Sequence, residues 1–416
     1  MLRRPLSCTH THHTPPAQPQ PPATPARHFN TPSVVPPLRH PPFSPISRPL
    51  PTYSNVYSST LKSIGNTPLI KLKKASELTG CAIYAKAEYC NPGGSVKDRA
   101  ALWIVKDAEE RGVLEPGRGT IVEGTAGNTG IGLSLVGNAR GYRTIICIAD
   151  TQSKEKKDTL RWSGASLLEV PAVPFKNPQN YVHVAARLAA ILSASATPNS
   201  GGVLYANQWD NLANRQAHID SMGPEIWEQT NHRIDAFCCA TGTGGTLSGV
   251  GTYLRTKATP AHPIGVYLTD PRGAGLYRWF KEGVMRSEGD SISEGIGQSR
   301  LTGNMRDFTP DDCFEVHDTD ALTALYDLME LEGLAVGSSS AINIAGAMQV
   351  ARKLGRGKTV VTILCDRGDR YAGKLYNPGF LKSRGLPVPR WLEESEVKER
   401  VGGLQEQLKE AMKPPE

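Results

Sequence analysis

From about residue 53 to residue 389, short runs of β-branched and apolar residues alternate with longer stretches of helical character. Such alternation is typical of a mostly parallel sheet with helices on both faces, because parallel strands need long crossover connections. The predicted strands read AIYAKAE, GTIVEG, RTIICIAD, DAFCCATG, IGVYLTD and KTVVTILCD. The predicted helices read SVKDRAALWIVKDAEERG, GIGLSLVGNARG and TLSGVGTYLRT. The pattern therefore predicts an α/β fold.

The two ends of the chain depart from this alternation. Residues 1–52 contain paired prolines at 15–16, 21–22, 36–37 and 41–42. Proline fixes φ and lacks an amide donor, so this segment is predicted to be a disordered leader. Its arginines without acidic residues also favour mitochondrial targeting, with a plain disordered tail as the alternative. Residues 391–416 are predicted to form a polar helical tail.

Charge and cysteine usage exclude several classes of protein. Five arginines and no acidic residue occur in the first sixty residues; removing these five from the 47 Lys and Arg residues leaves 42 against 40 Asp and Glu residues. A nearly neutral body argues against nucleic-acid binding, which depends on many phosphate contacts. No apolar run reaches the roughly 18 residues of a membrane-spanning helix. The eight cysteines form no C-x-x-C pair, so neither a metal site nor a disulfide framework is predicted.

A glycine-rich loop follows the predicted strand DAFCC, at the kind of strand-to-helix junction where open α/β sheets bind ligands. Its glycines permit close backbone approach and its threonines offer hydroxyls; they are Gly242, Thr243, Gly244, Gly245 and Thr246. A helix is predicted to begin near Leu247, so amide groups and a helix N-terminus would converge on an anion. No Gly-Lys-Ser/Thr follows, and Leu247 stands where a dinucleotide motif needs glycine. The loop indicates a site for one phosphate monoester without a metal, with a tight ligand-free turn as the alternative.

Two further junctions carry similar signals. EGTAGNTGIG, residues 123–132, places Thr125, Asn128 and Thr129 on a loop that suits a carboxylate, or forms an ordinary turn. LAVGSSSAIN, residues 334–343, begins a helix with three serines, for which a serine N-cap is the simplest explanation.

A turn with two glycines precedes one lysine. In NPGGSVKDR, Gly93 and Gly94 are predicted to deliver Lys97 to the start of a helix. The positive end of the helix dipole disfavours an ammonium group there, which suits a reactive amine. Asp98 and Arg99 are interpreted as structural, either as solvated charges or as pairs at the helix end, with a direct part in the chemistry as the alternative.

The chain resembles the cysteine synthase and cystathionine β-synthase family of pyridoxal 5′-phosphate enzymes, which have the tryptophan-synthase β-like fold, called fold type II. Within that family it looks most like the fungal mitochondrial enzymes called cysteine synthase 2. The motifs that carry the resemblance occur in family order over about 320 residues: IGNTPLI, NPGGSVKDR, EGTAGNTGIG, NQWDN, GPEI, TGTGGTLSG, EGIG and GSSSA. The resemblance implies two open twisted sheets flanked by helices within a catalytic region at residues 53–390. It implies a small domain at about residues 100–210, with a large domain formed by the remainder.

The resemblance also implies residue roles. Lys97 would bond covalently to the cofactor aldehyde, Asn128 would contact the ring hydroxyl oxygen, and Ser339 would face the pyridine nitrogen. Gly242, Thr243, Gly244, Gly245 and Thr246 would hold the phosphate. Thr125, Asn128, Thr129 and Gln208 would bind the substrate carboxylate.

The expected reaction is β-replacement, in which O-acetyl-L-serine and sulfide give L-cysteine and acetate. Cystathionine synthesis from serine and homocysteine, or cysteine desulfhydration, would use the same residues. A catalytically weak protein that retains the cofactor and binds a partner, such as a serine acetyltransferase, is the non-enzymatic alternative. A homodimer is implied by the family.

Three features depart from the family pattern. Ala126 replaces the usual serine in the carboxylate loop, which removes about 1 kcal/mol of hydrogen bonding. Ala341 replaces the usual glycine after the serines and is predicted to narrow the approach to the cofactor ring. The stretch at residues 277–297 is longer than in simple bacterial synthases and is interpreted as a surface insertion, with a lid as the alternative.

Overall fold

A computed structural model describes residues 56–125, 127–152 and 154–413. The predicted leader and Ala126 lie outside the described residues, so the predictions made for them stay predictions. None of the described helices is long and apolar enough to cross a membrane.

The strands form two sheets. One has six strands in the order β1-β2-β10-β7-β8-β9, and the other has four in the order β5-β4-β3-β6. Apart from the antiparallel β1–β2 pair, the paired strands are parallel. The strands are β1 Leu69–Lys71, β2 Ala82–Ala87, β3 Thr120–Gly124, β4 Arg143–Ala149, β5 Ser166–Val170, β6 Val203–Tyr205, β7 Ala236–Cys239, β8 Gly265–Pro271, β9 Asp312–Val316 and β10 Thr359–Leu364.

Helices connect and cover these sheets. They are α1 Lys73–Thr79, α2 Lys97–Glu110, α3 Asn128–Arg140, α4 Lys154–Trp162, α5 Tyr181–Ala194, α6 Ala213–Ala217, α7 Gly223–Gln229, α8 Gly245–Arg255, α9 Gly275–Glu282, α10 Asp318–Glu332, α11 Ser338–Leu354, α12 Pro378–Ser383 and α13 Glu394–Ala411. A five-residue π-helix, His218–Met222, joins α6 to α7.

The central strands are mostly apolar because both of their faces are buried. In β7, Ala236 and Cys238 pack into one hydrophobic cluster, whereas Phe237 and Cys239 pack into another on the opposite face. In β10, Val360 and Val361 divide in the same way. Side chains of a strand alternate between faces, so a sheet covered on both sides needs continuous apolar runs.

The structure confirms the six predicted strands and three predicted helices within a few residues at their ends. The prediction that a helix begins near Leu247 is corrected, because α8 begins at Gly245. The predicted tail contains α13. The fold is the expected one, with two sheets flanked by helices.

Candidate active site

One cavity of about 660 Å³ lies beyond the carboxyl ends of strands from both sheets. This position follows from parallel topology, which brings the loops after the strands to one edge. Nearly all of the predicted site residues line this cavity: Lys97, Thr125, Asn128, Thr129, Gln208, Gly242, Thr243, Gly244, Thr246 and Ser339. Gly245 lies behind the cavity wall, where an added Cβ would be 2.3 Å from Asn214 Oδ1.

Lys97 is the first residue of α2, as predicted. The preceding turn needs both of its glycines. A Cβ on Gly93 would lie 2.5 Å from Asp98 Oδ1, and Gly94 has a φ of +74°. The Gly93 N–H donates to Asp98 Oδ2, which ties the turn to the helix that it starts. The backbone therefore fixes where the Lys97 side chain enters the cavity.

Asp98 and Arg99 are both fully buried, so their interpretation as solvated charges is wrong. Burial raises the pKa of Asp98 to about 7. Arg99 donates to Glu88 at 2.7 and 2.9 Å and to Glu225 at 2.7 Å through each of two nitrogens. These contacts tie α2 to α7 and to the turn after β2, immediately behind Lys97.

The first glycine loop leaves no space for side chains on its packed side. A Cβ on Gly242 would be 2.2 Å from the carbonyl oxygen of Gly295, and one on Gly244, whose φ is +84°, would be 2.1 Å from Met305 Cγ. Gly244 is the N-cap of α8, so the first amide groups of that helix have no partner within the helix. The Thr243 hydroxyl accepts from Asn214 at 2.8 Å, and the Thr246 hydroxyl lies 3.2 Å from Nε2 of buried His218. Burial lowers the pKa of His218 well below its usual value, so its imidazole is neutral.

The second loop is joined to Gln208. The Thr129 hydroxyl donates to Gln208 Oε1 at 2.5 Å, and the Gln208 N–H donates to Glu123 Oε2 at 3.2 Å. Glu123 is fully buried, and burial raises its pKa to about 8. Thr129 and Gln208 are therefore joined by a hydrogen bond, and Thr125 lines the same cavity.

The three serines do not cap α11. Its N-cap is Gly337, which forms no side-chain cap, so the serine N-cap interpretation is wrong. The Ser338 hydroxyl accepts from the Glu294 N–H at 3.3 Å, and the Ser340 hydroxyl accepts from the Cys365 N–H at 2.8 Å. Ser339 lines the cavity. Ala341 packs in the hydrophobic core and does not line the cavity, so the structure does not support the predicted narrowing.

Sequence reasoning missed the residues after β10. Asp366 accepts from Asn128 Nδ2 and from the Tyr371 hydroxyl, each at 2.8 Å. Arg370 donates to Asn128 Oδ1. The sequence could have indicated these residues, because CDRGDRY directly follows the buried parallel strand β10. Polar residues at the carboxyl ends of parallel strands face the site.

The stretch at residues 277–297 is more than a surface insertion. Its last four residues, 294–297, form a segment that we call the strap, and three of them line the cavity. Glu294 forms ion pairs with Lys156 and Lys374. The Gly297 N–H donates to the Thr241 carbonyl at 3.2 Å, next to the first glycine loop. The strap therefore closes one side of the cavity.

Comparison with known proteins agrees with this geometry. The sequence profile of the family described as "Pyridoxal-phosphate dependent enzyme" matches residues 60–366. The chain belongs to this family of enzymes.

Relatives place it within the cysteine synthase branch. "Cysteine synthase 1" of Emericella nidulans is 50% identical over 338 residues, covering 80% of this chain and 88% of the relative. "Cysteine synthase 2" of Schizosaccharomyces pombe is 43% identical over 342 residues, covering 79% and 85%. "Putative mitochondrial cysteine synthase" of Saccharomyces cerevisiae is 42% identical over 328 residues, covering 75% and 82%. The chain is 50% identical to the Emericella nidulans cysteine synthase 1 and 43% identical to the Schizosaccharomyces pombe cysteine synthase 2, so sequence identity does not favour the cysteine synthase 2 enzymes.

A solved structure gives the same fold. The crystal structure of O-ureido-L-serine synthase matches with a TM-score of 0.68 and 31% identity, covering 78% of this chain and 96% of that one.

The residues present fit pyridoxal 5′-phosphate, the cofactor of this family. A lysine amine, a glycine loop at a helix N-terminus and a serine hydroxyl line one cavity. Helix N-termini with exposed amide groups favour phosphate. The backbone of Gly242–Thr246 can approach such a group closely because the glycines carry no side chains.

Proposed function

We propose that this chain is a cysteine synthase that forms L-cysteine and acetate from O-acetyl-L-serine and sulfide. The names of the relatives at 42–50% identity support the reaction. The observation that carries the proposal is Lys97, which lies at the first position of α2 in a cavity that also holds the glycine loop and the Thr129–Gln208 wall. That combination provides an amine, a phosphate cradle and a carboxylate site.

The side chains divide the work in this proposal. Bound in the cavity, pyridoxal 5′-phosphate supplies an aldehyde and an electron-withdrawing ring. Lys97 Nζ would hold the cofactor, and its free amine would take the proton from the substrate α-carbon and return it. Thr125, Thr129 and Gln208 orient the substrate carboxylate. The Ser339 hydroxyl is neutral, so it lets the pyridine nitrogen stay unprotonated and limits electron withdrawal. Acetate leaves the β-carbon, and sulfide adds there.

Reductive trapping tests whether Lys97 bonds covalently to the cofactor. The purified protein is reconstituted with the cofactor and reduced with borohydride, and the modified peptide is identified by mass spectrometry. We expect the added mass on Lys97, and loss of both the label and the visible absorbance in Lys97→Ala. Lys156→Ala is the matched control, because Lys156 lines the same cavity. A label on another residue, or retained absorbance in Lys97→Ala, contradicts the assignment.

Parallel assays test the substrate pair. O-acetylserine with sulfide, serine with homocysteine, and cysteine alone are compared at equal enzyme concentration. We expect the first pair to react fastest. Faster reaction of serine with homocysteine, or of cysteine alone, would reassign the chain to cystathionine synthesis or desulfhydration. Binding of cofactor without turnover of any pair would favour the alternative of a cofactor-retaining partner protein.

The proposal also includes a mitochondrial location, a homodimeric assembly and a division of the catalytic region into two domains. The Saccharomyces cerevisiae relative's name and the arginines of the leader support a mitochondrial location. The family resemblance supports a homodimer, a serine acetyltransferase partner, and a small domain at about residues 100–210 that contains the four-stranded sheet. Fluorescent tagging of the chain with and without residues 1–52, and light scattering of the purified protein, test the first two.

A further inference from the structure

The side-chain amide of Asn128 is held from both ends by one loop. Asn128 is the first residue of α3, and its partners Asp366 and Arg370 follow β10. Arg370 Nη1 donates to Asn128 Oδ1, and Asn128 Nδ2 donates to Asp366 Oδ2 at 2.8 Å. A half-buried guanidinium group and a fully buried carboxyl group therefore contact opposite ends of one amide.

These two contacts permit a single orientation of the amide. A guanidinium group has only donors, and Asp366 Oδ2 is an acceptor, because it already receives hydrogen bonds from Asn128 and from the Tyr371 hydroxyl. Rotating the amide by half a turn would direct its oxygen at Asp366 and its nitrogen at Arg370. Both hydrogen bonds would be lost, and hydrogen bonds to charged groups are stronger than those between neutral groups.

Both partners are themselves fixed. Asp366 is fully buried and also accepts from the Tyr371 hydroxyl, while its Oδ1 faces Gly337, where an added Cβ would be 2.2 Å away. Arg370 Nη2 donates to the Gly93 carbonyl at 2.5 Å, which is in the turn before Lys97. The loop thus connects the amide of Asn128 to the turn that positions the amine.

One polar hydrogen of the amide is left for the cavity. Nδ2 carries two hydrogens, and among the described residues its one hydrogen-bond partner is Asp366. Asn128 lines the cavity together with Lys97 and Ser339. A ligand atom opposite this N–H must accept a hydrogen bond.

We propose that Asp366 and Arg370 are positioning residues that hold Asn128 as a hydrogen-bond donor toward an anionic oxygen on the ligand ring. The inference rests on the proposed function, in which that oxygen belongs to the ring of pyridoxal 5′-phosphate. Donation stabilises the deprotonated oxygen, whereas an amide turned the other way would favour its protonated form.

Exchanging the side chains of Asn128 and Asp366 tests whether Asp366 positions the Asn128 amide. Asn128→Asp alone places two carboxylates together and is expected to lower both apo-protein stability and cofactor affinity. Asn128→Asp combined with Asp366→Asn restores an amide–carboxylate pair and keeps an acceptor for Arg370, but position 128 then offers only acceptors to the ligand. The apo melting temperature and the cofactor dissociation constant are measured for each variant, together with the visible absorbance of the bound cofactor.

The double variant separates positioning from structural support. We expect its apo melting temperature to return to the wild-type value while its cofactor dissociation constant stays about tenfold or more above wild type, with a shifted absorbance band. Return of the dissociation constant and the absorbance to wild-type values would overturn the inference. Wild-type protein that binds no cofactor would instead overturn the proposed function.

A second variant tests the same role if the double variant does not fold. Arg370→Met keeps a long unbranched side chain of similar volume but removes the two nitrogens that donate to Asn128 and to Gly93, and we expect weaker cofactor binding and an altered absorbance band. Asp369→Asn is the matched control, because Asp369 is 61% exposed and pairs only with Arg367 among the described residues. If Arg370→Met binds the cofactor as tightly as this control, with an unchanged absorbance band, the inference is wrong.

Discussion

Gly242→Ala is expected to weaken cofactor binding through the strap. The new Cβ would lie 2.2 Å from the carbonyl oxygen of Gly295, where real Cβ contacts are essentially never closer than 3.0 Å, so the strap must retreat by at least about 0.8 Å. A backbone atom cannot rotate aside as a side chain can. Hydrogen bonds from Glu294 N–H to Ser338 and from Gly297 N–H to the Thr241 carbonyl resist the movement.

The size of the effect follows from overpacking. Extra methyl groups in a well-packed region cost about 1–3 kcal/mol, and here part of that cost falls on the loop that would hold the phosphate. If the cofactor dissociation constant rises tenfold, the stabilisation that the cofactor gives at a concentration of 100 wild-type dissociation constants falls from about 2.7 to about 1.4 kcal/mol.

Denaturant unfolding with and without the cofactor measures this difference directly. Gly373→Ala is the control, since Gly373 has no atom within 4 Å of an added Cβ and its φ is not positive. Both variants carry the same change in composition. The reasoning is refuted if Gly242→Ala keeps the wild-type difference between apo and holo stability, or if Gly373→Ala loses as much of it.

Three further predictions concern buried polar groups. Burial raises the pKa of Asp270 from 3.8 to about 7, so the unfolded state releases this proton first and stability falls as pH rises between about 4 and 7. Asp270→Asn should reduce that slope by up to about 1.4 kcal/mol per pH unit in urea titrations, while Asp369→Asn leaves it unchanged. Arg99→Met should cost about 3–5 kcal/mol of unfolding free energy, because buried Glu88 loses its cation; a loss below 1 kcal/mol contradicts this. Thr129→Val should raise KM for the amino-acid substrate about tenfold at unchanged cofactor affinity, because the hydroxyl that donates to Gln208 is lost.

The strands and the glycine loops could be predicted because their signals are local. A strand covered on both faces is mostly apolar, and this pattern is visible in AFCC and in the valines, isoleucine and leucine of TVVTIL. Glycine at the end of such a strand marks close approach of the backbone, and parallel topology then brings the separate loops to one edge. The family resemblance assigned Lys97 and the Thr125–Thr129 loop to a common site, and both line the cavity.

The contacts between loops could not be predicted in this way. Arg99 and Glu225 are 126 residues apart, and Asn128 and Asp366 are 238 apart. Each pairing depends on how the two sheets meet, which periodicity does not encode. The prediction that a serine caps α11 was wrong for a different reason. A serine at a helix start usually caps its own helix, but here Gly337 occupies the N-cap position. The hydroxyls of Ser338 and Ser340 instead accept hydrogen bonds from neighbouring loops.

The loop after β10 shows how such distant contacts fix the geometry of the site. Arg370 contacts the Gly93 carbonyl and Asn128 Oδ1, and a Cβ on Gly94 would lie 2.9 Å from its Nη2. One guanidinium group thus packs against the turn before Lys97 and the start of α3. A rigid planar group with several donors can hold two backbone segments in a single relative position, which a flexible lysine cannot do. The reactive amine and the cavity-facing amide are therefore positioned by the same side chain, so Arg370→Lys should disturb both although it conserves charge.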